Sequence, residues 1–216
     1  MAVKLERDQI VRTALRLLNE VGLEGLTLRR IATELQVQAP ALYWHFRNKQ
    51  ALLDEMATTI MRDHLQAGDL TPPGNQSSRE ILSRYAHTLR RMLLAYRDGA
   101  RMFSGTAVTD ASVFAGMEDN LRQMTGAGYS LEMAIIAGTT IYAFVIGFTI
   151  EEQAVFPLPG QRAEQYDLDA RAKRIDRETY PLSHAAGHIV LGSFDMRFER
   201  GVDIIVTGLE ASRTSG

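Results

Sequence analysis

The sequence predicts an all-α protein: a short N-terminal three-helix module joined by a fourth helix to a larger helical body. Three observations carry that expectation. Apolar residues recur three and four apart along most of the chain, no segment shows the period-two alternation of a strand, and residues 67–78 (AGDLTPPGNQSS) break the pattern once, with two prolines and two glycines. The expected boundaries are 1–48 for the module, 49–66 for the connecting helix and 67–216 for the body.

Each element has its own signal. Asp8 is placed to cap a first helix, DQIVRTALRLLNEVG, whose inward face is Ile10, Ala14, Leu17, Leu18 and Val21, and Gly22 stops it. Thr27 caps a second helix, LRRIATEL, with Leu28, Ile31, Ala32 and Leu35 on one side. The three residues QVQ leave room only for a tight turn before a third helix, QAPALYWHFRNK, in which Pro40 is tolerated because it lies in the first turn. A fourth helix spans 49–66. Ser77 and Glu80 have capping-box spacing ahead of a long helix to about Arg97, and further helices are expected near 110–126, 131–153 and 193–212. The polar stretch from Phe156 to about Thr179 reads as a connection with at most one short helix.

Composition narrows the function classes. The chain has 216 residues, 45% hydrophobic and 23% charged, which suits a folded globular protein. It has no cysteine, which excludes disulfides, a thiolate nucleophile and a cysteine-ligated metal, and the charged start MAVKLERDQ offers no apolar leader, so a cytoplasmic protein is expected. Residues 1–50 hold eight Lys/Arg against five Asp/Glu, while the whole chain is at -2; a basic module on a more acidic body suits an anionic partner for the module. Met133 to Ile150 is uncharged over 18 residues, yet it contains three threonines, ends on Glu151 and Glu152 and lacks a basic flank. It reads as a helix buried inside the protein or between subunits, not as a membrane span.

The stretch Tyr43-Trp44-His45-Phe46 holds four ring side chains in a row, including the only tryptophan. Leu42 and Phe46 are four apart and face the module's core, so the neighbouring rings are left to flank and solvent. Two short helices joined by a tight turn, the second with a free outer face, make a helix-turn-helix. On that face Gln38 and Ala39 let the backbone approach base edges, Tyr43 can donate to a phosphate, Trp44 can lie on a sugar or thymine methyl, and His45 and Lys49 can meet the backbone. Arg29 can reach a guanine. The candidate DNA-binding set is Thr27, Arg29, Gln38, Ala39, Tyr43, Trp44, His45 and Lys49.

The segment LTLRRIATELQVQAPALYWHFRNKQALLDEM resembles the N-terminal module of the tetracycline-repressor (TetR) family, with its L-Y-x-H-F and the lysine that opens the fourth helix. LLAYRDGARMFSGT, LEMAIIAG to FTIEEQ, and GVDIIVTGLEA are similar to the tetracycline-responsive branch itself; residues 154–190 resemble it weakly. The resemblance implies a helix-turn-helix DNA-binding domain, a C-terminal ligand-binding and dimerisation domain, a homodimer on a palindromic operator, and release by a small inducer. Arg29, Tyr43, Trp44, His45 and Lys49 match positions that touch DNA in that branch. Ala39 replaces its base-reading glutamine and Gln38 the neighbouring acid, which implies a different operator sequence.

The same resemblance implies a pocket around the fifth helix, Phe103 and the 131–153 helix. The candidate ligand-binding set is His64, Tyr85, Leu89, Met102, Phe103, Thr106, Met117, Asn120, Ile135, Thr139, Tyr142 and Glu151. Thr106 and Glu151 are retained from the branch, but Phe103 stands where it carries a metal-linked histidine, and a phenyl ring cannot hold Mg²⁺. The expectation is therefore a pocket without metal or other cofactor, for an apolar or aromatic ligand that is not a Mg-tetracycline chelate. Close approach at Ala143 and Gly147, and a face of Val202, Ile205, Val206 and Leu209, are the candidate dimer contacts.

Two other classes stand beside this one. The first is a regulator without ligand control, or one that activates. The second is a helical metal-dependent enzyme, suggested by His184 and His188 at i and i+4; HAAGH lacks the glutamate of H-E-x-x-H, and no third ligand is evident, so no catalytic residue is assigned.

Overall fold

The computed structural model describes residues 5–69 and 76–212, so residues 70–75 of the expected break, and the last four residues of the body, lie outside the described residues. Helix α1 covers Arg7–Gly25, α2 Leu28–Glu34, α3 Ala39–Tyr43 and α4 Lys49–Gln66. The body contains α5 (Ser78–Leu94), α6 (Gly99–Phe103), α7 (Phe114–Gly126), α8 (Leu131–Val155), α9 (Leu168–Arg174), α10 (Pro181–Ala185), α11 (Gly187–Gly192) and α12 (Phe194–Ser212). Among the described residues there is no strand, only an isolated bridge between Leu158 and Gln161.

The first module folds as its periodicity requires. Ile10, Ala14, Leu17 and Leu18 of α1 close on Leu28, Ile31, Leu42 and Phe46, all buried. Thr27 caps α2, its Oγ1 accepting from Arg30 N at 3.1 Å. The turn after α2 passes through Gln36 at φ 55°, and Val37 N bonds back to Ala32 O at 2.9 Å, a left-handed closure that satisfies the helix's last carbonyls. Pro40 lies in the first turn of α3.

Four local expectations need correction. Asp8 does not cap α1: the cap falls two residues earlier, at Glu6, and Asp8 sits in the first turn, 3.5 Å from Arg12. Gly22 does break the helix, at φ 69°, but the chain winds on to Gly25. Helix α3 is shorter than its apolar spacing suggested, and Phe46 reaches the core from the turn beyond it, where its N–H still bonds Leu42 O at 2.9 Å. The long helix stops at Leu94 rather than Arg97, because Asp98 adopts φ 55° and starts the unforeseen α6.

The body is built on α5, α8 and α12. The capping box forms at Ser77 and Glu80, with both bonds present. Helix α8 packs against α5 and α12, burying Ala134, Ala137, Ile141 and Val145. Helix α4 touches α1 on one side and α6 on the other, so it lies between module and body. The 156–179 connection holds one short α-helix, α9, plus a 3-10 turn at Glu164–Tyr166; α10 and α11 beyond it were not foreseen.

Candidate DNA interface and ligand cavity

On the outer face of the module, Trp44 is 90% exposed and Tyr43 53%, a costly arrangement for a core whose apolar positions are already filled. Thr27, Arg29 and Gln38 are exposed, and Ala39 and His45 half-buried, on the same two-helix unit. The Thr27 oxygen is engaged as a cap, which leaves its proton free to donate. Lys49 departs from its expected role: its Nζ donates to Leu23 O at 2.6 Å, tying α4 to the end of α1 instead of pointing outward. Arg47, not singled out in the sequence, is exposed and borders a shallow depression with Tyr43, Trp44 and His45. Its signal was its place right after Phe46, in the turn that the helical reading hid.

Module and body meet through specific polar contacts. Asp98 Oδ2 accepts from Leu23 N at 2.8 Å, Arg97 N donates to Asn19 Oδ1 at 2.8 Å, and Arg101 pairs with Glu24 at 2.8 Å. Helix α4 is held on α1 by the Arg12–Asp63 pair. The Arg12 guanidinium, hydrogen-bonded to Asp63, holds that carboxyl below its ordinary range against the opposing pull of partial burial. On its other side, the segment after α6 is bonded to α4: Ala107 N to Asp54 Oδ1 at 3.0 Å and Thr109 N to Thr58 Oγ1 at 3.0 Å.

Between α4, α5, α7 and α8 lies a cavity of about 350 Å³. Tyr85, Met117, Asn120, Ile135, Thr139 and Tyr142 of the expected set line it, and Met61, Leu65, Ile81, Leu82, Val113 and Met124 complete an apolar wall. Burial, together with the nearby Tyr142 phenol, pushes the Tyr85 hydroxyl up to about 12, and burial raises that of Tyr142 as well.

The other expected pocket residues are placed elsewhere. Leu89 on α5, and Met102 and Phe103 on α6, are buried in the core and do not line the cavity; α6 packs against both α5 and α8. His64 Nδ1 lies 2.8 Å from Asp69 Oδ2, and Thr106 Oγ1 donates to Phe103 O at 2.7 Å. Glu151 is exposed on α8, while its neighbour Glu152 is buried and paired with Arg90 at 2.6 and 2.8 Å. A second, wider groove of about 950 Å³ runs past Tyr96, Gln153, Phe156 and Phe194, and the Gln153 amide in its lining is engaged with Ala100 N, Leu93 O and Tyr96 O.

Helix α8 is long and apolar enough to cross a membrane by length and composition, and only 33% of its most apolar stretch is buried inside the chain. Its uncovered face carries Ile136, Thr140, Ala143 and Gly147. On α12 the expected face is corrected: Val202 and Val206 pack inward, and Ile204, 71% exposed, and Gly208 face out. His184 and His188 fall on separate short helices, α10 and α11, and among the described residues no three of His, Asp and Glu come together as a metal site.

The description "Bacterial regulatory proteins, tetR family" matches residues 10–56, and "Tetracyclin repressor-like, C-terminal domain" matches residues 71–213. The chain is 41% identical over 211 residues to the tetracycline repressor protein class C of Escherichia coli, covering 97% of this chain and 93% of that protein. Among solved structures it is similar to a possible TetR family transcriptional regulator from Streptomyces coelicolor A3(2), with a TM-score of 0.83, 35% identity and coverage of 96% and 100%. It is also similar to the Streptomyces coelicolor TetR family protein ActR in complex with (S)-DNPA, with a TM-score of 0.78, 30% identity and coverage of 97% and 99%. These relatives are named as repressors and regulators rather than enzymes. Fold, module order and sequence agree, and the chain belongs to the TetR family of bacterial transcriptional regulators.

Proposed function

We propose that the chain is a cytoplasmic repressor that binds a palindromic operator as a homodimer and is released by a small, uncharged inducer without a bound metal. The observation that carries the DNA reading is Trp44, 90% exposed beside Tyr43 on a helix-turn-helix whose core is complete without either. Residues 1–48 form the reader, α4 the connection, and 67–216 the regulatory and pairing body. Thr27, Arg29, Gln38, Ala39, Tyr43, Trp44 and His45 face DNA; Lys49 acts through α1, by holding Leu23.

Pairing uses the apolar strip of α8 and the Ile204 face of α12. A second copy of the chain covers this strip better than lipid does, since Thr140, Gly147 and Glu151 interrupt it. The cavity takes the inducer, and its occupancy moves α4, which is bonded to α1 on one side and to residues 107–109 on the other. The two states differ in the spacing of the paired readers, which must match major grooves about 34–36 Å apart.

Selection from a pool of randomised duplexes tests this reading. Enrichment of an inverted repeat bound by two copies is the expected result; an unenriched pool rejects it. An activator would use the same reader, and a reporter placed behind the enriched repeat is expected to fall silent, not to rise.

A further inference from the structure

The lining of the 350 Å³ cavity carries no charged side chain among the described residues. Its polar groups are two phenols, one threonine and one asparagine. Thr139 Oγ1 donates back to Ile135 O at 2.8 Å, and Asn120 Nδ2 donates to Gly116 O at 2.8 Å. No protein acceptor lies within hydrogen-bond distance of either phenol among the described residues, and α5 and α8 bring both to this one space. Both tyrosines are half-buried and open onto the cavity, so their hydroxyls donate to whatever fills it, and a ligand that displaces water there must accept from them or lose those bonds.

We propose that the Tyr85 and Tyr142 hydroxyls are the specificity-determining polar end of the cavity, donating to the carbonyl oxygen of a flat, uncharged aromatic ligand. This rests on reading the cavity as the inducer site. Both hydroxyls stay protonated well above neutral pH, Tyr85 to about 12, so they remain donors and offer no charge to a cationic ligand. A carboxylate ligand would bury its charge against Met61, Leu82, Met124 and Ile135 with no cation to meet it, which disfavours anions. The volume suits two to four fused rings, near the lower end of the usual range for ligand sites of about 300–1,000 Å³.

Matched probes test the inference on the full-length protein: 9-fluorenone, its carbonyl-free counterpart fluorene, and 9-fluorenone-4-carboxylate, each titrated by calorimetry against wild type, Tyr85→Phe, Tyr142→Phe and Gly138→Met. The ring-retaining Phe changes keep the wall, and circular dichroism checks that each variant is folded. Fluorenone is expected to bind about tenfold tighter than fluorene, each Phe change to remove about fivefold of that preference, and the carboxylate to bind more weakly than either. The infrared carbonyl stretch of bound fluorenone should fall below its value in hexane and recover part of the way in each Phe variant. Gly138→Met, which projects into the cavity, should abolish binding of both neutral probes. Equal binding of fluorene and fluorenone, with a stretch indifferent to both Phe changes, overturns the donor role while leaving the cavity as a ligand site. Binding of neither neutral probe, or binding untouched by Gly138→Met, overturns both readings.

Discussion

The Asp98 carboxylate accepts the Leu23 backbone N–H at 2.8 Å, across the boundary between the DNA-reading module and the body. Leu23 follows the break at Gly22, where the α1 ladder is interrupted, so its N–H needs a partner from outside. The Leu23 carbonyl meanwhile takes Lys49 Nζ at 2.6 Å. One peptide segment is thereby held by the body through its donor and by α4 through its acceptor.

Removing the carboxylate loosens that joint. Asp98→Ala leaves a part-buried N–H unpaired and is expected to lower stability by about 1–2 kcal/mol. Because the reader's own surface is intact, affinity for an enriched duplex should change little, while the fraction of DNA released by a cavity ligand should fall. Unchanged release would remove Asp98 from the coupling path.

Gly99 next to it is required by packing. A Cβ there would sit 2.1 Å from Leu93 O, a backbone atom that cannot swing away. Gly99→Ala is expected to cost about 1–3 kcal/mol by denaturant unfolding, and a loss under about 0.5 kcal/mol would mean that the α5–α6 link relaxes freely.

The uncovered strip of α8 predicts a pairing variant. Nothing lies within 4 Å of a Cβ built on Gly147, so Gly147→Glu leaves the chain's own packing alone while placing a charge in the proposed interface. Sedimentation velocity should show wild type as a dimer and the variant as a folded monomer; a dimeric variant would move the interface elsewhere.

Acid should part α1 from α4. Asp63 is held below its ordinary value by Arg12, so its contribution to stability is present above the unfolded carboxylate value near pH 4 and is lost as pH falls through the folded one. Both side chains are partly exposed, which keeps the effect small. Unfolding midpoints from pH 7 to 3 should fall less steeply for Asp63→Asn than for wild type; parallel curves would show that the pair does not contribute.

The helices were legible where one apolar face repeats over several turns, as at Ile10, Ala14 and Leu18 or along α4. What spacing hid were breaks made by one residue's backbone, such as Asp98 at φ 55°, and elements shorter than two turns, such as α6, α10 and α11. Trp44 was readable as surface because the helix was already full. The cavity was half readable: Tyr85 and Tyr142 line it, but Met102 and Phe103 on α6 are buried in the core while Met117 on α7 lines the cavity, and periodicity carries no sign of which helix faces it. On α12, Val202 and Ile204 are both apolar, and only packing against Phe144 and α5 decides which faces in.

The central claim is that Trp44 serves DNA and not the fold. Fluorescence anisotropy of an enriched duplex, at two salt concentrations, with wild type and Trp44→Ala, tests it directly when paired with thermal unfolding of both proteins. The account predicts unfolding free energies within about 0.5 kcal/mol of each other, salt-sensitive binding by wild type, and at least a tenfold weaker affinity for the variant at both salts. A variant that unfolds early, or one that binds as tightly as wild type, would contradict it.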